Sequence, residues 1–156
     1  MFNSIKKIFK SNITDEEIFE KAMHGDKSIL ELPKERLMIK DKRGWTLVHC
    51  LAKKGVKEIL NLPKEFFIVK DKYGNTPIHW LAVRGIKEVL SLDKELLSIK
   101  NDAGWTPVHY LAYMGIKEVL SLDKELLMIK DTYRCTPVNC LASKGVKIPE
   151  ELKDLI

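Results

Sequence analysis

The chain has no glutamine, only four arginines beside 23 lysines, and three cysteines. No stretch comes near the roughly 18 consecutive apolar residues that cross a bilayer as a helix. Glycine and proline together number 14 of 156 residues, too few for a collagen-like chain or a proline-rich linker. The low and odd cysteine count argues against a disulfide framework and for a reducing, cytoplasmic setting. Arginine is the side chain that grips bases and phosphates bidentately, whereas lysine is a hydrated point charge. Its scarcity therefore weakens any expectation of nucleic-acid reading. The balance of 27 basic and 22 acidic side chains leaves a net charge of +5, mildly basic. Apolar residues make up 45% of the chain and charged ones 31%, enough for a core and unlike a disordered segment. The bias towards Lys, Glu and Ile fits a thermophile, and AT-rich coding would produce the same bias.

What is present is a repeat. Residues 86–97 and 116–127 are identical, IKEVLSLDKELL, at an offset of 30. The same offset aligns Asp41, Asp71, Asn101 and Asp131, then Gly44, Gly74 and Gly104, then Thr46, Thr76, Thr106 and Thr136. It aligns His49, His79 and His109 with Asn139, and the sets beginning Leu51, Ala52 and Gly55 follow. Residues 1–156 thus read as a single repeat domain. Full units occupy 41–70, 71–100 and 101–130. Residues 1–40 form an N-terminal helix and a degenerate capping unit that keeps the phase through Ala22, Gly25 and Ile29-Leu30. Residues 131–156 form a C-terminal capping unit. Atypical ends are expected of repeats, because they need a soluble outer face.

Each unit carries helix punctuation. Thr76 supplies an N-cap hydroxyl before Pro77 at the first helical position, and Thr106-Pro107 repeats it. Ile78, Leu81 and Ala82 fall on one helix face. Gly85 and Gly115 end these helices. Ile86, Val89 and Leu90 repeat the spacing, which predicts a second helix. Pro33, Pro63, Asp93 and Asp123 then predict the start of a further turn, Asp93 as a cap. Residues 70–75 are a turn signal. Leu47 replaces Pro and leaves the helix of 41–70 less firmly started. No unit is long enough to bury its own apolar face, so neighbours must supply the core.

The stretches Thr76-Pro77-Ile78-His79-Trp80-Leu81-Ala82 and Thr106-Pro107-Val108-His109-Tyr110-Leu111-Ala112 closely resemble the ankyrin-repeat motif T-P-L-H-x-A, with its upstream Asp-x-x-Gly turn and downstream Gly. The resemblance is strong over 41–145 and weak over 11–40. It implies an all-α, ankyrin-like α-solenoid of about five helix-turn-helix repeats with short turn fingers. The period of 30 is shorter than the family's usual value of about 33, so the second helix or its loop is expected to be shorter. Leu51, Leu81, Leu111 and Leu141 stand where the family has its first Ala, which should alter packing between repeats.

The three histidines cannot share one metal if the units stack. Packed helices are about 10 Å apart, whereas zinc ligands lie about 2–2.3 Å from the ion. The resemblance gives His49, His79 and His109 a structural role, bonding between loops and neighbouring repeats. Cys135 and Cys140 have the wrong spacing for a C-x-x-C pair, and Cys50 and Cys140 share a repeat position three units apart. The chain carries no G-x-S-x-G, P-loop, G-x-G-x-x-G or H-E-x-x-H signature. The expectation is therefore a non-enzymatic chain with no cofactor, no metal and no small-molecule substrate. The periodic Lys and Glu residues read as a solvated outer face.

Function is sought where the repeat varies. The turn tips and the slots after the Gly hold Arg43, Trp45, Tyr73, Trp105 and Tyr133. The outer helix slots hold Lys53, Lys54, Trp80, Arg84, Tyr110, Tyr113 and Met114. In the resembled family these positions line a concave groove that contacts partners. Aromatic and basic side chains suit an interaction surface. The alternative is that the aromatics pack between repeats and replace the area lost with the shorter period. The expected function is a monomeric, cytoplasmic module that binds another protein. The rivals are nucleic-acid binding through Lys-rich turn tips and structural self-assembly. Segment 1–10, with Phe2, Ile5 and Phe9 on one face among lysines, reads as a capping helix, with contact to an anionic membrane as its rival. Residues 149–156 read as a closing helix.

Overall fold

The computed structural model describes residues 13–156; the helix expected over 1–10 lies outside the described residues. All regular structure among the described residues is helical. Five longer helices carry the architecture: α1 (Asp15–Met23), α2 (Leu47–Lys53), α3 (Pro77–Val83), α4 (Pro107–Tyr113) and α5 (Pro137–Ser143). Each packs on the next in chain order.

The helices begin where the hydroxyls are. Thr14 and Glu17 cap α1 reciprocally, the Thr14 N–H donating to Glu17 Oε2 at 2.8 Å. In α2 to α4 a histidine replaces the glutamate: the backbone N–H of Thr46, Thr76 and Thr106 donates to the Nδ1 three residues on. Leu47 starts a helix of the same seven residues as the proline-led ones, with the same cap. The cap is therefore sufficient without the proline. At the far end Gly55 adopts φ +77. Val56 N–H then reaches Leu51 O at 3.1 Å and Gly55 N–H reaches Ala52 O at 2.9 Å, closing the orphan carbonyls in the pattern typical of a left-handed terminator.

The second helix expected from Ile86, Val89 and Leu90 is not a continuous α-helix. It is a five-residue 3-10 segment, Lys87–Ser91, then a break at Leu92, then one helical turn, Lys94–Leu97. The other units repeat this with Lys27–Glu31, Lys57–Asn61 and Lys117–Ser121, each followed by one turn. Only five residues lie between the extended residue after the terminating glycine, Ile86, and the next extended residue, Leu92. A 3-10 helix covers more length per residue than an α-helix, which suits a shortened unit. Asp93 does not cap with its side chain. It reproduces the backbone angle that Pro63 imposes, φ −56 in both cases. The closing segment Glu150–Leu155 is likewise 3-10 rather than α.

The core lies between successive units. Ile78, Leu81 and Ala82 are fully buried, as are Val108, Leu111 and Ala112. Val89 and Leu97 close the same layer from the 3-10 and one-turn segments. All four leucines at the expected Ala position are completely enclosed.

The turns add a second contact line. Asp71 Oδ1 accepts from the N–H groups of Tyr73 and Asn75, both at 2.9 Å; Asp41, Asn101 and Asp131 do the same in their own turns. Each tip then bonds its neighbour: Lys72 N–H to Arg43 O at 3.0 Å, Asp102 N–H to Tyr73 O at 3.1 Å and Thr132 N–H to Ala103 O at 3.2 Å. Gly104 is needed twice here. Its φ is +77, and a Cβ would stand 2.8 Å from Thr132 N.

Candidate functional site

The layer under the candidate surface is a polar network built by the histidines. A backbone N–H can only donate, so His49 Nδ1, 3.1 Å from Thr46 N, must accept. Nε2 then carries the proton and donates to Asn75 O of the next unit at 3.2 Å. His79 donates in the same way to Trp105 O at 3.1 Å, and His109 to Cys135 O at 3.2 Å. Burial holds the imidazoles neutral, pushing His49 and His79 down to about 4 and His109 in the same direction. With both nitrogens engaged, none offers a free lone pair for metal ligation or proton transfer. Asn139 Oδ1 accepts from Thr136 N–H at 2.8 Å and so caps α5, with no bond to a further turn.

On this layer stand the aromatic side chains, and they divide into two sets. Trp45 is buried, 4% exposed. It lies 4.8 Å from Trp80, centroid to centroid. Trp80 is half-buried, and its Nε1–H donates to Asp71 Oδ2 at 3.2 Å. Trp105 is half-buried too, 4.8 Å from Tyr110, with its Nε1–H on Asp131 Oδ2 at 2.9 Å. The Tyr110 hydroxyl accepts from Asn101 Nδ2 at 3.1 Å, and Asn101 Nδ2 also donates to Asn75 Oδ1 at 2.8 Å. Of these four rings, Trp80, Trp105 and Tyr110 are pinned by hydrogen bonds, and Trp45 is held by packing. For Trp45 the packing alternative holds outright, since almost none of it meets solvent.

The second set faces outward. Tyr73 is 56% exposed, Tyr113 49%, Met114 51% and Tyr133 83%. Tyr113 leans on Trp105 at 5.7 Å, and Lys144 Nζ lies 3.8 Å from its centroid. That contact shows that the two slots before the closing glycine line one surface, the later slot of one unit meeting the earlier slot of the unit before.

The cations of the site also divide. Arg43 is paired with Asp41 at 2.7 Å and lies over Trp45 at 4.5 Å. Lys53 hangs over Trp45 and Trp80, at 4.8 and 5.5 Å, and Lys72 over Tyr73 at 4.8 Å. Lys53, Lys54, Lys72 and Arg84 are exposed and have no carboxylate partner among the described residues.

The periodic lysines of the 3-10 and one-turn segments behave differently. Lys57 pairs with Glu88 at 2.9 Å and Lys87 with Glu118 at 3.5 Å, each 31 residues apart. Lys27 pairs with Glu58 in the same register. A parallel row joins Lys34 to Glu65, Lys64 to Glu95 and Lys94 to Glu125. Lys-Glu neighbours along the chain carry no sign of this, because each partner sits in the next unit.

Comparison with models of known protein families found none that matches the chain, and comparison with curated proteins found no match. The thiols of Cys50 and Cys140 are buried and pushed up to about 12 and about 11, so they stay protonated and unreactive. No described helix is long and apolar enough to cross a membrane.

Proposed function

We propose that the chain is an ankyrin-like solenoid of five short repeats, acting as a non-catalytic module that binds another protein. The observation that carries this reading is that Tyr73, Tyr113 and Met114 face outward, Tyr113 leaning on Trp105, whose indole is hydrogen-bonded in place. A surface whose underlayer is already ordered loses little conformational freedom on association. Aromatic side chains that are partly exposed yet held at the base are the usual anchors of such contacts. The cap pattern Thr-Pro-x-His, and the histidine bond from one unit to the next, support the family reading. The reading places the protein in a reducing compartment such as the cytoplasm, where the unpaired thiols would persist.

The test separates the two aromatic sets. Tyr113→Ala with Met114→Ala should leave thermal unfolding unchanged and reduce capture of the natural partner from native cells about ten-fold or more. Trp80→Ala should lower stability. Unchanged capture by the Tyr113/Met114 variant, repeated with Tyr73→Ala, would sink the reading. Steeply salt-dependent retention on an oligonucleotide would favour the nucleic-acid rival instead. Concentration-dependent light scattering would favour assembly.

A further inference from the structure

The net charge of this protein is not spread evenly over its lysines. Six lysines of the two rows on the 3-10 and one-turn segments are neutralised, each by a glutamate of the next unit, while Lys117 and Lys124 at the end of the rows have none among the described residues. Lys53, Lys54, Lys72 and Arg84 have no such partner, and they gather at the α2–α3 end of the candidate surface. The nearby acids are already committed. Asp41 serves its own turn and Arg43, and Asp71 serves its own turn and the Trp80 indole. The stem of Arg84 lies against Gly55, where an added Cβ would come within 3.9 Å of Arg84 Cβ. That places a second cation two residues from Lys53. One unit further on, the equivalent slots hold Tyr113 and Met114, and the equivalent turn tip holds Asp102 and Ala103. The surface is therefore basic at one end and carries apolar side chains beyond it, Tyr113 with Lys144 over its ring and Met114.

We infer that the partner, on the protein-binding reading above, is a segment of another protein that carries two or more carboxylates followed or preceded by a bulky apolar side chain. The carboxylates meet Lys53, Arg84 and Lys72, and the apolar side chain meets Tyr113 and Met114. Lys53 and Lys72 lie over aromatic faces, so their ammonium groups are partly ordered before the partner arrives. Neighbouring units are about 10 Å apart, and an extended chain advances about 3.3 Å per residue. The acidic and apolar positions of the partner then stand about three to six residues apart. A nucleic-acid backbone fits less well, because its charge is continuous and the cationic track is interrupted at Asp102 and Ala103.

The probe is a random twelve-residue peptide library displayed on phage and selected on the full chain, with a thymidine 20-mer as a second ligand. The expected result is enrichment of peptides with at least two Asp or Glu and an apolar residue at that separation. A synthetic peptide from this set should bind about ten-fold more weakly to the Lys53→Glu/Arg84→Glu variant, and more weakly as salt rises. Enrichment without an acidic bias, lost on Tyr113→Ala, overturns the acidic partner but keeps the protein-binding surface. Absence of any enrichment counts against both. Tighter binding of the oligonucleotide than of every selected peptide overturns the inference in favour of the other class.

Discussion

The three full units and the last one make the same helix, turn and cap, yet differ at positions that join one unit to another. Gly44, Gly74 and Gly104 become Arg134; His49, His79 and His109 become Asn139. Glu88 and Glu118, which take the lysine of the unit before, give way to Ile148, and Glu125 to Leu155. The glycine and histidine changes remove something needed only when another turn is packed on top, whereas the glutamate changes remove the carboxylate that would pair with a lysine of the unit before, leaving Lys117 and Lys124 without one among the described residues. Arg134 still has φ 66, so the turn keeps its shape. What has been lost is the tight approach that forbids a Cβ at Gly104. The contrast separates residues that shape a unit, such as Thr136 and Asp131, from residues that join units.

The largest way to break the contrast is acid. Burial lowers His49 and His79 to about 4, below the ordinary 6.5. The unfolded chain therefore takes up protons over a range where the folded chain does not. Their contribution is complete above about pH 7, falls as pH drops from about 6.5 to 4, and is flat below that, on the order of 3 kcal/mol for each. Urea unfolding followed across this range should show the loss.

Next in size is Gly104→Ala, which forces a Cβ against Thr132 N and strains a left-handed residue. It should cost about 2–4 kcal/mol in the urea midpoint analysis. His79→Asn copies the last unit into the middle of the chain. It should keep the cap, lose the bond to Trp105 O, cost about 1–3 kcal/mol at neutral pH and flatten the acid dependence. Arg134→Gly, by contrast, should gain about 0.5–1 kcal/mol, since it relieves the unfavourable backbone angle of an exposed residue. The smallest effect is that of Glu88→Gln. Its partner Lys57 is exposed, so the melting temperature should fall slightly at low salt and not at all in concentrated salt. A large, salt-independent fall would mean that the lysine–glutamate rows hold the units together more than the turns do.

Several of these features could be read from local sequence. Thr76-Pro77, the glycine terminators and the Asp-led turns each act within about five residues, and local chemistry is enough to place them. The 3-10 segments were not legible, because Ile86, Val89 and Leu90 carry ordinary helical spacing. The shortened span between Gly85 and Asp93 changes the helix type. Nor was the division of the aromatics visible. Trp45 and Tyr113 are equally aromatic, but Trp45 is enclosed by the next unit's Trp80 together with Arg43 and Lys53, whereas Tyr113 keeps about half of its surface open. The lysine–glutamate rows were hidden for the same reason: Lys57 stands next to Glu58 in the sequence and bonds Glu88.

What the amino-acid sequence determined by itself is the unit: its 30-residue length, its helix start and stop, its turn and its apolar stripe, all consequences of short-range bonding and periodicity. What tertiary packing decided is the traffic between units. It decided which histidine nitrogen donates across, which rings are sealed, and which cations find a carboxylate and which are left facing solvent. Those depend on bringing together side chains about thirty positions apart, and only the packed chain brings them within bonding distance.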